Sequence, residues 1–225
     1  MSLRDEEINF IKFIKNYYSQ TISLIDVGAN LGLYSELFNK DVKTKKTYLF
    51  EPLRSCFNKI PKKENYVLHN ICIGASKGEV IFHEALGKET HSSVVNREWL
   101  YKKPEYSINK KVVPINKLDN LFKEKIEVLK IDVEGYELEV LKGAANLLRD
   151  NKIDFIQFEY GGAFEDNFIK LNDVITFLAK YKYSVYEIKD GKFSKIENYI
   201  DDYKWINFYA IRDQLTMDTS SKILI

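Results

Sequence analysis

The stretch DVGANLG, Asp26 to Gly32, gathers an acid, two glycines and an asparagine into one short turn. Gly28, Asn30 and Gly32 let the backbone bend sharply there, so a ligand could approach the main chain with little side chain in the way. Glu51, in YLFEP, offers a carboxylate that can accept hydrogen bonds from both hydroxyls of a ribose. A dinucleotide would need G-x-G-x-x-G, and Asn30 and Leu33 occupy the second and third glycine places. A G-x-N-x-G turn preceded by an acid suits an adenosine without a pyrophosphate, namely S-adenosylmethionine, whose ammonium Asp26 could meet directly or through water. Taken alone, the turn is also compatible with a structural glycine loop that binds nothing.

Three further acids could take the proton from an acceptor hydroxyl: Asp132 and Glu134 in KIDVEG, and Glu159 in QFEY. Asp132 and Glu134 are the leading pair, and Asp132 the better placed, because an uncompensated charge at the tip of an apolar strand is expensive. Glu134 and Glu137 are equally compatible with capping the helix that follows. His91, in ETHSSVV, could reach an acceptor, and Ser92 and Ser93 could hydrogen-bond one, although a solvated loop accounts for them as well. Tyr160, Gly161 and Gly162 could line the same pocket, with the Tyr160 ring stacking on a sugar. His69, His83 and His91 share no metal spacing and His83 reads as structural, so no metal site is assigned.

These residues need a scaffold that brings strand ends together, and the hydrophobic periodicity supplies one. An amphipathic helix is expected over residues 1–20, with Ile8, Ile11 and Ile14 on one face. Strands are expected at Ser23–Val27, Thr47–Phe50, Tyr66–Ile73, Glu79–Ala85, Val112–Ile115, Val128–Val133, Phe155–Phe158, Ser184–Ile188, Phe193–Ile196 and Trp205–Ile211. Helical spacing falls at Leu31–Asn39, Ser55–Ile60, Leu118–Phe122, Leu138–Leu148 and Val174–Leu178. Residues 87–107 read as a long acceptor loop and 213–225 as a flexible tail. Strands alternating with helices, then reversing near the end, give a three-layer α/β sandwich around a mostly parallel sheet. In such a sheet, ligands settle beyond the carboxyl ends of the strands, where DVGANLG, Glu51 and Asp132 all fall.

DVGANLGLYS, then FEP, then LHNICIGASKGEVIF, then KIDVEGYELEVLKGA, in that order over roughly Ser23 to Glu159, resembles the FkbM family of methyltransferases. The resemblance implies a class I Rossmann-like fold with a seven-stranded sheet and an antiparallel C-terminal strand. It also implies S-adenosylmethionine as cofactor and O-methylation, often of a sugar hydroxyl in a glycan, glycolipid or natural product. Carried over by position, Asp26, Gly28, Asn30 and Gly32 shape the methionine site, Glu51 the ribose site, and Asn70 borders adenine. The strand positions of Asp132 and Glu159 also resemble those that hold a divalent cation in some other class I O-methyltransferases. The alternatives are methylation of a non-sugar molecule or a nitrogen, for which no N/D-P-P-Y motif is present, and an inactive scaffold, against which the acids at the strand ends argue.

At 225 residues the chain fits one methyltransferase domain. Lys plus Arg number 34 against 33 Asp plus Glu, so the charge of +1 gives no global reason to bind nucleic acid or an anionic membrane. Cys56 and Cys72 have no CxxC spacing, which suggests neither a disulfide framework nor zinc and suits a reducing cytosol. A charged MSLRDEEIN start and the lack of a long apolar run argue against a signal peptide or a transmembrane segment. Oligomeric state leaves no trace in the sequence.

Overall fold

The computed structural model describes residues 3–197, 199 and 205–215. Eleven strands are present among them: β1 (Ile22–Val27), β2 (Thr44–Phe50), β3 (Tyr66–His69), β4 (Cys72–Ile73), β5 (Gly78–Ala85), β6 (Ile108–Asn116), β7 (Ile126–Ile131), β8 (Ile153–Tyr160), β9 (Tyr183–Lys189), β10 (Lys192–Lys195) and β11 (Ile206–Arg212). The main sheet runs β10-β9-β11-β8-β7-β1-β2-β3, and β4-β6-β5 form a second, smaller one. The pairs of β1 with β2 and β7, of β2 with β3 and of β7 with β8 are parallel; β11 pairs antiparallel with both β8 and β9. The core is thus the expected seven strands with β11 reversed, and the hairpin strand β10 adds an eighth at the edge.

Every residue of β1 and β7 is buried, because helices cover both faces of the sheet centre and apolar side chains suit both sides of such strands. On one face α1 (Asp5–Tyr17) and α2 (Leu33–Asp41) bring Phe10, Ile11, Ile14 and Phe38 onto Leu24, Val128, Phe155 and Tyr209. α3 (Arg54–Phe57) and α4 (Glu98–Tyr101) are single turns in the loops after β2 and β5. The opposite face is covered by α5 (Leu118–Leu121), α6 (Glu137–Lys142), α7 (Ala145–Arg149), α8 (Gly162–Asp166) and α9 (Leu171–Ala179), whose apolar residues join Ile25, Leu129, Ile156 and Phe208.

Four local expectations change. The strand expected over Tyr66–Ile73 divides: after His69 the chain leaves the main sheet, and Cys72–Ile73 pairs with β6 instead. The helix expected over Leu138–Leu148 breaks around Gly143, where a Cβ would stand 2.1 Å from the carbonyl oxygen of Gly74, and Asp119 caps the new start by accepting from the N–H groups of Asn146 and Leu147. Residues 87–107 form a packed insertion, tied down by a bridge between Ser93 and His83 and by α4. Asp213 and Leu215 bond back to Lys182 and Arg212, and the rest of the expected tail lies outside the described residues. Both cysteines are free and buried, and no helix of the described residues is long and apolar enough to cross a membrane.

Candidate functional site

A cavity of about 550 Å³ opens over the carboxyl ends of β1, β2, β7 and β8. One wall is the turn after β1. Gly28 and Ala29 donate their N–H groups to the carbonyl of Phe50, both at 3.0 Å, which fastens the turn to the end of β2. Gly28 takes φ +80°, Asn30 φ +50° and Gly32 φ +79°, the last immediately before α2. The N–H of Asn30 donates to Glu51 Oε2 and that of Leu53 to Glu51 Oε1, each at 2.8 Å. One carboxylate therefore holds two loops, and each of its oxygens keeps a further lone pair while the residue lines the cavity.

Burial pushes the Glu51 carboxyl up to about 7, against the pull of those two N–H bonds. A carboxyl held above its ordinary value stabilises the fold below pH 4.5, and that stability is lost as pH rises toward 7. The expected decline from this residue is on the order of 3 kcal/mol. Thermal unfolding at pH 5, 6, 7 and 8 should show a falling midpoint for the wild type and a flatter profile for Glu51→Gln. Parallel profiles would refute the assignment.

Asp26 is completely buried and does not line the cavity. It accepts from Ser35 Oγ at 2.7 Å and faces Lys130 Nζ at 3.2 Å, behind the turn and outside the cavity lining. Lys130 does line the cavity; its ammonium also reaches the carbonyl of Gly28 at 3.2 Å and Asp132 at 3.4 Å. Burial works to lower its pKa, but the charges of Asp26 and Asp132 prevail and raise it, so the side chain stays cationic.

Asp132, Glu134 and Glu159 come together as expected, with one oxygen from each within 4.8 Å of the others. That spacing could hold a divalent cation, yet two of the acids already have arginine partners. Arg97 Nη1 donates to Glu134 at 2.6 Å and Arg97 Nε to Asp166 at 3.2 Å, while Arg4 Nη2 reaches Glu159 at 2.5 Å. Asp132 is the most open of the three, its side chain 39% exposed. Burial raises the pKa of Glu134, helped by the charge of Glu159, and burial likewise raises Glu159, helped by Asp132. Glu134 has φ +58°, and in the turn that it shapes the N–H groups of Val133 and Gly135 both donate to Glu137, at 2.9 Å each. Glu137 thus braces the turn before α6, while the helix itself has no side-chain cap.

His91 lines the cavity with Nδ1 2.6 Å from the Tyr106 hydroxyl, and burial, then the charges of Arg97 and Lys88, lower its pKa. The serines beside it are occupied: Ser92 Oγ accepts from the N–H of Ala85, and Ser93 Oγ donates to the carbonyl of Glu134. Tyr160 is fully buried against Phe164, Tyr199 and Phe208; of the aromatic residues that line the cavity, Tyr34, Phe50 and Phe82 are buried and Trp205 is half-exposed. Asn70 follows β3 and spends its amide on the carbonyls of Glu51 and Pro52, supporting the Glu51 loop from outside the cavity. Leu53, Ile71, Cys72 and Phe82 give the lining beyond Glu51 an apolar character. Sequence reasoning missed Arg4, Arg97 and Trp205; Lys130 had left a trace, as a charge inside an apolar strand.

A mostly parallel sheet with a reversed strand beside β8, and a cavity over its carboxyl edge, are the architecture of the class I methyltransferases, whose methyl donor is S-adenosylmethionine. Within that class the chain belongs to the FkbM methyltransferase family, since the model of the methyltransferase FkbM domain matches residues 26–185, more than half of its length. The methyltransferase FkbM from Methylobacillus flagellatus KT is similar in fold, with a TM-score of 0.54 and 14% identity over 84% of this chain and 43% of that one. This chain therefore spans less than half the length of that protein. A putative rRNA-methylase from Clostridium thermocellum (TM-score 0.51, 10% identity, 94% of this chain and 99% of that one) shares the fold. So does an rRNA methylase from Streptococcus thermophilus (TM-score 0.50, 10% identity, 95% and 100%). No curated protein matches the sequence.

Proposed function

We propose that the protein transfers a methyl group from S-adenosylmethionine to a hydroxyl of a sugar or similar polyol, as part of a glycan, glycolipid or natural product. The observation that carries this reading is the acidic character of the cavity: among the described residues, seven acidic side chains and two basic ones line it. Such a lining suits a donor with a sulfonium and an ammonium and disfavours a dinucleotide with two phosphates. Glu51 has lone pairs for the two ribose hydroxyls, and the apolar side chains beyond it suit a purine. The two buried free cysteines are in keeping with a cytoplasmic setting.

The donor, once bound, supplies an already activated methyl group for in-line displacement. The chain's own residues position the acceptor, exclude water and take one proton. Asp132 is the base in this reading, because it is the open carboxylate of the cluster. The face of Trp205 is available to the C–H side of a sugar ring, and His91, kept neutral, to one of its hydroxyls.

The test is turnover with labelled donor and a panel of methyl glycosides, following base-stable methyl ethers. Transfer confined to amines would remove the sugar reading. Against a reactive glycoside, Asp132→Asn is expected to lower kcat by roughly 10² to 10⁴ and leave affinity for S-adenosylhomocysteine within a few-fold. Unchanged turnover would move the base to another residue.

A further inference from the structure

We infer that Arg4 binds the carboxylate at the amino-acid end of the methyl donor. The inference rests on the donor reading above and concerns a residue outside the span 26–185 that the family model matches. Arg4 stands immediately before α1 and lines the cavity together with Leu3 and Glu7. Its Nη2 is held by Glu159 at the end of β8, three strand steps from Glu51 beyond the end of β2. At about 4.8 Å per step the two sites are about 14 Å apart, a span for an extended nucleoside bearing an amino-acid arm.

The cavity needs a cation for that carboxylate, and its other cationic candidates are engaged. Lys130 is surrounded by Asp26, Asp132 and the carbonyl of Gly28, and the His91 ring is bonded to Tyr106 and disfavoured as a cation. Arg4 Nη1, in contrast, is buried with no hydrogen-bond partner, and the nearest carboxylate oxygen beyond Glu159, that of Glu6, stands at 4.0 Å. A guanidinium N–H removed from water without an acceptor is costly, and a ligand carboxylate oxygen supplies one in a charge-assisted bond. The ammonium of the same amino-acid group can donate to the Glu159 carboxyl beside Arg4, so the Arg4–Glu159 pair is complementary to a zwitterion.

Calorimetric titration with S-adenosylhomocysteine and with 5′-methylthioadenosine, which lacks the amino-acid arm, separates the possibilities. Arg4→Gln is expected to weaken S-adenosylhomocysteine about ten- to a hundredfold, with 5′-methylthioadenosine within twofold of the wild-type value and Arg4→Lys recovering part of the loss. Retained 5′-methylthioadenosine binding also shows that the variant is folded. Equal losses for both ligands, or none for either, overturn the role of Arg4 alone. A wild-type protein that binds neither ligand removes the donor reading, and this inference with it.

Discussion

Gly28→Ala is expected to destabilise the fold by more than 3 kcal/mol and to abolish donor binding. A Cβ on Gly28 would lie 1.8 Å from the carbonyl oxygen of Asp132 and 2.8 Å from its carbonyl carbon. Both are backbone atoms at the end of β7, and Asp132 donates its own N–H to Val27, so neither side can yield without parting β1 from β7. The left-handed φ of +80° adds roughly 1–2 kcal/mol for any residue with a side chain. Gly87→Ala is the matched control: it also has a positive φ, +72°, but an added Cβ there meets nothing within 4 Å. Urea unfolding of the two variants should separate strain alone from strain with collision, and equal losses would refute the argument.

Lys130→Met is expected to cost about 3–5 kcal/mol, the range seen when one partner of a buried ion pair is removed. Asp26 would be left with only the Ser35 hydroxyl as a partner, at a position without solvent. The double variant Asp26→Asn, Lys130→Met should recover much of that loss, because no unpaired charge then stays inside. Denaturant midpoints for the four members of this cycle provide the check. A single Lys130→Met variant within 1 kcal/mol of the wild type would mean that the pair contributes little.

Much of the scaffold was legible because the strands that carry the site are rich in apolar residues, and the acids at or just past their ends stand out. Asp132, Glu134 and Glu159 could be grouped from sequence for that reason, and Glu51 placed at the next strand end. What the sequence hid depends on contacts distant along the chain. Arg4 and Glu159 are 155 residues apart, and Arg97 reaches Glu134 from a segment that reads as an open polar loop. The depth of Asp26 was hidden too, because a strand-end acid looks the same whether it faces a ligand or a buried lysine. Tyr160 lies in the core and not at the cavity for a related reason: periodicity gives a face of a strand, but not which face the neighbouring elements leave open. The apolar spacing of Leu138, Leu141 and Leu148 runs on through Gly143, although contact with Gly74 ends the helix there.

The position of β11 bears on how the molecule is made. It is the last described strand in chain order, yet it is an interior one, inserted between β8 and β9. A nascent chain that has emerged only as far as β10 presents two unpaired edges where β11 will go, and nothing earlier in the sequence occupies that slot. Closing the sheet then waits for residues near Arg212 to leave the ribosome, so chaperone binding is expected to concentrate in the interval between the emergence of β10 and that of β11.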